Sequence, residues 1–169
     1  MDEDTEGVGE KQCSPTAGSS TVNKHSYEKA TKRRILIVDD EPDLTFVFKM
    51  GLEDNGYIVD AFNDPQLALS NFKADLYDLL LIDIGIPKIN GFEFYKEIIK
   101  INNKVKACFF TASEAYYMNL KAKYGMMNPD PNCLILKPIS MDDLVKRVNQ
   151  IMRWWGWGWL RNETIGVAH

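Results

Sequence analysis

From residue 34 onward, short unbroken apolar runs alternate with segments whose apolar residues recur every three or four positions. Ile35-Leu36-Ile37-Val38 is such a run, and it stops at two acids, Asp39 and Asp40. Residues 42–55 follow, with Leu44, Val47, Phe48, Gly51 and Leu52 at the spacing of one helical face. Pro42 suits the first turn, where an N–H would have no intrahelical partner, and Asn55-Gly56 supplies the stop. Residues 57–61 form a second predicted strand, and Asp64-Pro65 opens a short helix through Phe72. Residues 79–82 are a third apolar run, ended by Asp83. The loop from Gly85 to Gly91 leads into a predicted helix over 92–101, then a strand over 105–110 that ends at Thr111. A fourth helix is predicted over 113–124 and a short fifth strand over 134–136. Ser140, with Asp143 three residues on, opens the last helix, whose Leu144, Val148, Ile151 and Trp155 share one face.

The order is therefore five β-α units with no internal repeat. Strands that are apolar throughout, rather than at every second residue, are covered on both faces. The fold class is thus α/β, a five-stranded doubly wound parallel sheet in a single domain over 34–153. Residues 1–33 hold five acids in the first ten positions, a Ser/Pro/Gly stretch and then a basic run, with almost no periodic apolar positions. Such a segment buries too little surface to offset its ordering entropy, and it is expected to be a disordered polar tail. Residues 154–169 form a Trp/Gly-rich tail: Trp154, Trp155, Trp157 and Trp159 lie within six positions, interrupted by Gly156 and Gly158. A flap on the domain, a docking peptide for a partner or for self-association, and a membrane-surface anchor are the readings of that tail, in that order.

Composition narrows the picture further. Of 169 residues, 45% are hydrophobic and 26% charged, which excludes a wholly disordered chain or a coiled-coil rod. A net charge of -4 argues against nucleic acid as the main partner. No membrane span or secretory signal is found. Three cysteines without a CxxC pair suit a reducing cytoplasm, and two histidines make a zinc site a poor expectation.

In a parallel sheet, ligands gather outside the carboxyl ends of the strands. There the chain places Asp39 and Asp40 after the first strand, Asp83 after the third, Thr111 after the fourth and Lys137 after the fifth. Carboxylates held together repel one another unless a cation sits among them. A hard divalent ion with oxygen ligands, Mg²⁺ above all, is the expected resident. An ionised aspartate beside that ion and an ammonium is a nucleophile for a phosphoryl group, and a threonine hydroxyl can donate to a phosphoryl oxygen.

These residues, with Glu41-Pro42, Gly85-Ile86-Pro87, Gly91, Thr111-Ala112 and Lys137-Pro138, make the chain resemble the receiver domains of two-component response regulators over roughly 34–152. The resemblance implies that Asp83 is the phosphoacceptor. It implies that Asp40, Asp83 and the Gly85 carbonyl bind Mg²⁺ directly, with Asp39 mostly through water. Thr111 becomes the switch hydroxyl, Lys137 the phosphate-sensing cation, and the bond before Pro138 a candidate cis peptide. A histidine kinase or phosphotransfer protein is the implied donor, and a stand-alone receiver acting by protein–protein contact the implied form. Three features depart from the family pattern. Leu134 stands where an aromatic switch residue is common, Gly85 and Ser113 leave the acceptor flanked by small residues, and residues 123–133 are long and rich in proline. Two alternatives follow: a degenerate receiver that only docks partners, and an aspartyl-phosphate phosphohydrolase. Against the second, Glu41 stands two residues after Asp39, where such enzymes carry aspartate.

Overall fold

The computed structural model describes residues 32–124 and 133–162, the last nine as backbone alone. Among these residues five strands alternate with five helices: β1 (Arg34–Val38), α1 (Pro42–Asp54), β2 (Ile58–Phe62), α2 (Pro65–Asn71), β3 (Leu79–Asp83), α3 (Gly91–Ile101), β4 (Ala107–Thr111), α4 (Glu114–Tyr124), β5 (Leu134–Leu136) and α5 (Met141–Asn162). The strands pair in the order β2-β1-β3-β4-β5, every pair parallel.

The apolar runs explain the two-faced burial. Successive strand side chains point to opposite faces. Leu36, Val38, Leu80, Ile82 and Phe109 join a core with residues of α2, α3 and α4. Ile35, Ile37, Leu79, Leu81 and Phe110 join a second core with Phe48 and Leu52 of α1 and with Leu144, Val148 and Ile151 of α5. Burial of each such side chain contributes about 1.5–3 kcal/mol, so the double cover is what stabilises an all-parallel sheet.

Local signals set the helix starts. Asp64 accepts from the Gln66 and Leu67 N–H groups, Asn90 and Glu93 form a reciprocal capping box, and Ser140 accepts from Asp143 N–H at 3.1 Å. The inward face of α1 differs from the predicted stripe. Val47 is 52% exposed, while Thr45 is buried beside Phe48 and Leu52. Thr45 enters at little cost because its hydroxyl donates to the carbonyls of Pro42 and Glu41, at 2.9 and 3.2 Å. A count of apolar residues does not register a polar side chain whose hydrogen bonds are closed locally. β2 also begins one residue later than predicted, and β4 two residues later, with Thr111 as its last residue.

The last helix does not stop where the Trp/Gly-rich segment begins, at residue 154. The α5 backbone continues past it, through Gly156 and Gly158, to Asn162. Each glycine costs a helix only about 1 kcal/mol relative to alanine, too little to end one already nucleated by a packed face. The tryptophan side chains lie outside the described residues, as do residues 1–31, most of the proline-bearing 123–133 stretch, and 163–169. No helix among the described residues is long and apolar enough to cross a membrane.

Candidate functional site

β1 leads to β2 on one side, yet pairs with β3 on the other, so the loops following β1 and β3 diverge and open a crevice at the carboxyl edge of the sheet. The backbone delivers the predicted residues to that edge. Asp39 continues β1, its N–H donating to the Phe62 carbonyl at 3.2 Å. Asp83 is the last residue of β3 and Thr111 the last of β4. Lys137 follows β5, and its N–H extends the ladder to the Thr111 carbonyl at 2.8 Å. Asp40, Glu41, Asp83, Gly85, Thr111, Ser113, Tyr116 and Lys137 line one cavity of about 390 Å³.

The ammonium of Lys137 organises this cavity. It lies 2.6 Å from Asp39 Oδ2, 2.9 Å from Asp83 Oδ1 and 3.3 Å from Glu41 Oε1. Asp39 is fully buried, and that burial raises its pKa against the hydrogen bonds from Lys137 and the Glu41 N–H, with the charge of Asp83 adding to the rise. Burial pulls the Lys137 pKa down. The hydrogen bonds to Asp39 and Asp83, and their charges, more than reverse this and hold it above the usual lysine range. An ammonium facing two carboxylates therefore stays charged, and it relieves the repulsion that the sequence alone assigned to a metal ion.

Asp83 is nearly buried, and its Oδ2 accepts the Gly85 N–H at 2.6 Å. The start of α3 crowds the same spot. A methyl group on Gly91 would meet the Asp83 carbonyl and the Ile82 side chain. Because backbone cannot yield as a flexible side chain does, Gly91→Ala is expected to destabilise the fold by about 1–3 kcal/mol, read as a lower denaturant midpoint at unchanged slope. The Thr111 hydroxyl is turned to its own loop, donating to the Ser113 carbonyl at 3.0 Å and accepting the Ser113 N–H at 3.1 Å. The Lys137–Pro138 peptide is cis. Leu134 is paired with Phe109 and half-buried against the core on the α4 side, so no aromatic occupies that position.

Asp40 differs from Asp39: it is exposed at the cavity wall rather than buried. Among the described residues no three carboxylate, imidazole or thiol groups already converge as a cation cage. The donors are nonetheless of the right kind, since the carboxylates of Asp40 and Asp83 and the backbone at Gly85 meet in one cavity and offer the hard oxygens that Mg²⁺ takes.

Three further residues belong to the site. Glu41 reaches Lys137. Asn63 donates to the Asp39 carbonyl and to Thr45 Oγ1, both at 2.8 Å, tying the loop after β1 to α1. Asn63 is the polar residue directly after β2, the one strand end that the chemical reading passed over. Tyr116 forms a wall of the cavity from the first turn of α4. Nothing in its local sequence points there.

Comparison with known proteins agrees with this geometry. The family model described as the response regulator receiver domain matches residues 35–149. The transcriptional regulatory protein TrcR of Mycobacterium tuberculosis is 29% identical over 120 residues, covering 71% of this chain and 45% of that protein. A CheY-like response regulator receiver domain protein from Methanospirillum hungatei is 25% identical, with a TM-score of 0.60 over 73% of this chain and 95% of that one. The response regulator protein TrrA of Thermotoga maritima, solved in complex with Mg²⁺ and BeF, is 30% identical, with a TM-score of 0.56 over 70% of this chain and 97% of that one. The chain spans about half the length of the curated relatives it matches, several of them named as transcriptional regulatory proteins. The expectation of no nucleic-acid partner therefore has no support. The relatives are response regulators, not the phosphohydrolases weighed from sequence. With four strand-end groups gathered around one cavity, and a family match over the whole of the sheet, the chain belongs to the response regulator receiver domain family, the receiver module of two-component phosphorelays.

Proposed function

We propose that Asp83 accepts a phosphoryl group from the phosphohistidine of a histidine kinase or phosphotransfer protein, and that the chain passes the signal on by protein–protein contact. The observation that carries this is the Asp83 carboxylate at the cavity wall, held on one oxygen by Lys137 at 2.9 Å and on the other by the Gly85 N–H at 2.6 Å. An Asp83 oxygen attacks phosphorus, an acyl phosphate forms, and the P–N bond breaks with its electron pair returning to the imidazole nitrogen. Lys137, already facing Asp83, neutralises charge that moves onto the phosphoryl oxygens. Thr111 reaches one of those oxygens by a turn of its hydroxyl away from Ser113. Asp40, Asp83 and the Gly85 carbonyl would hold Mg²⁺, with Asp39 behind them. The ion, when bound, supplies further positive charge to the phosphoryl group.

Two measurements test the reading. Incubation with Mg²⁺ and acetyl phosphate should give a base-labile mass addition that maps to Asp83. Mg²⁺ alone should raise the melting temperature by mass action, with about 2.7 kcal/mol of stabilisation at a hundredfold excess over its Kd. A melting curve indifferent to Mg²⁺, together with an unlabelled Asp83, would leave the second reading. That reading is a receiver that docks partners without phosphorylation, and Leu134 at the aromatic position favours it.

A further inference from the structure

The residues that line the cavity around Asp83 include three carboxylates, a lysine, a threonine and a serine. Tyr116 is the one aromatic residue among those that line it. It is 45% exposed, and its N–H contacts the Ser113 hydroxyl at 3.3 Å. Gly85 and Ser113, two further lining residues, are small and fill little of the cavity.

An aromatic ring half-open to solvent at a charged site contributes little to folding, since much of its area stays wet. As a lining residue of the cavity, Tyr116 is instead accessible to whatever enters. The group that must enter beside Asp83 carries phosphorus and a leaving group. In the function proposed above the leaving group is an imidazole, itself a flat aromatic ring. Aromatic pairs prefer offset-stacked or edge-to-face contact and gain energy beyond the area they bury.

We infer that Tyr116 is a specificity-determining residue, whose ring provides the surface on which the imidazole of a phosphohistidine donor lies during transfer to Asp83. This rests on Asp83 being the acceptor. Tyr116 thereby favours N-phosphorylated imidazoles over acyl phosphates such as acetyl phosphate, whose leaving group has no ring to place against it. The phenol hydroxyl is not required, because the contact is made by the ring face.

The experiment compares labelling rates of the full chain by phosphoimidazole and by acetyl phosphate, in Mg²⁺, for wild type, Tyr116→Phe and Tyr116→Leu. Tyr116→Leu keeps apolar bulk but removes the ring. Its ratio of phosphoimidazole rate to acetyl phosphate rate should fall about three- to tenfold below the wild-type ratio, the range to which aromatic-pair energies convert. Tyr116→Phe should keep the wild-type ratio of the two rates. Equal slowing of Tyr116→Leu with both donors would show a general structural role and overturn the inference. Unchanged rates with both donors would overturn it equally. Failure of the wild type to label with either donor would overturn the Asp83 assignment and this inference together, an outcome distinct from the other two.

Discussion

Asp83→Asn is expected to reduce phosphoryl labelling by acetyl phosphate or phosphoimidazole to background while leaving the fold intact. An amide is a poor nucleophile at neutral pH, and no acyl phosphate can form on it. The structure says why the fold should survive. Asp83 is nearly buried at the end of β3, and the substitution preserves volume and shape. The amide oxygen can still accept the Gly85 N–H now held at 2.6 Å. Lys137 loses one carboxylate but keeps Asp39 at 2.6 Å and Glu41 at 3.3 Å. The melting temperature should therefore stay within a few degrees of the wild type, a shift of about 1 kcal/mol or less. Undiminished labelling of the variant, with the addition mapped to another carboxylate, would sink the assignment.

Lys137→Met should be the most damaging single change at the site, in stability as well as in transfer. Removal of the ammonium leaves Asp39, fully buried, and Asp83, nearly so, facing each other without a cation. Breaking a buried pair from one side costs about 3–5 kcal/mol, and the lower end applies here because the lysine side chain is 15% exposed and water reaches it. The pH dependence has a definite sign. Burial already raises the Asp39 pKa in the wild type, and loss of the lysine removes interactions that lower it. A carboxyl whose folded pKa lies above its unfolded value costs nothing where both states are protonated; the cost accrues as pH rises past the unfolded pKa and is fully present above the folded pKa. The deficit of the variant should thus be large at pH 7 and shrink as the pH falls toward the ordinary aspartate range. Chemical denaturation of wild type and variant across that interval measures it. A deficit that is constant with pH would mean lost packing rather than uncompensated charge. Transfer to Asp83 should also slow, by about a hundredfold, the usual consequence of deleting one preorganised charge-stabilising donor.

The alternation of strands and helices is legible in the chain's apolar pattern, because a strand buried on both faces must be apolar throughout and a helix on a sheet must be apolar every three or four residues. The strand-end chemistry is legible there as well, since each apolar run stops at a polar residue that ends or directly follows its strand: Val38 before Asp39, Ile82 before Asp83, Phe110 before Thr111, Leu136 before Lys137. Helix caps at Asp64 and Ser140 are local hydrogen bonds within three residues, so spacing alone reveals them. Tertiary structure decided what depends on residues distant in the chain. Lys137 and Asp39 are 98 positions apart, and only the pairing of β4 with β5 and of β1 with β3 brings the ammonium between two carboxylates. For that reason the charge balance assigned to a metal ion from sequence is partly met by a lysine. The burial of Thr45 in place of Val47, the tie from Asn63 to Asp39, and the arrival of Tyr116 at the cavity wall have the same origin. Periodicity gives a side chain a face, but only the packing of elements against each other gives it neighbours, and Coulomb and hydrogen-bond energies depend on those neighbours at a resolution of tenths of an ångström.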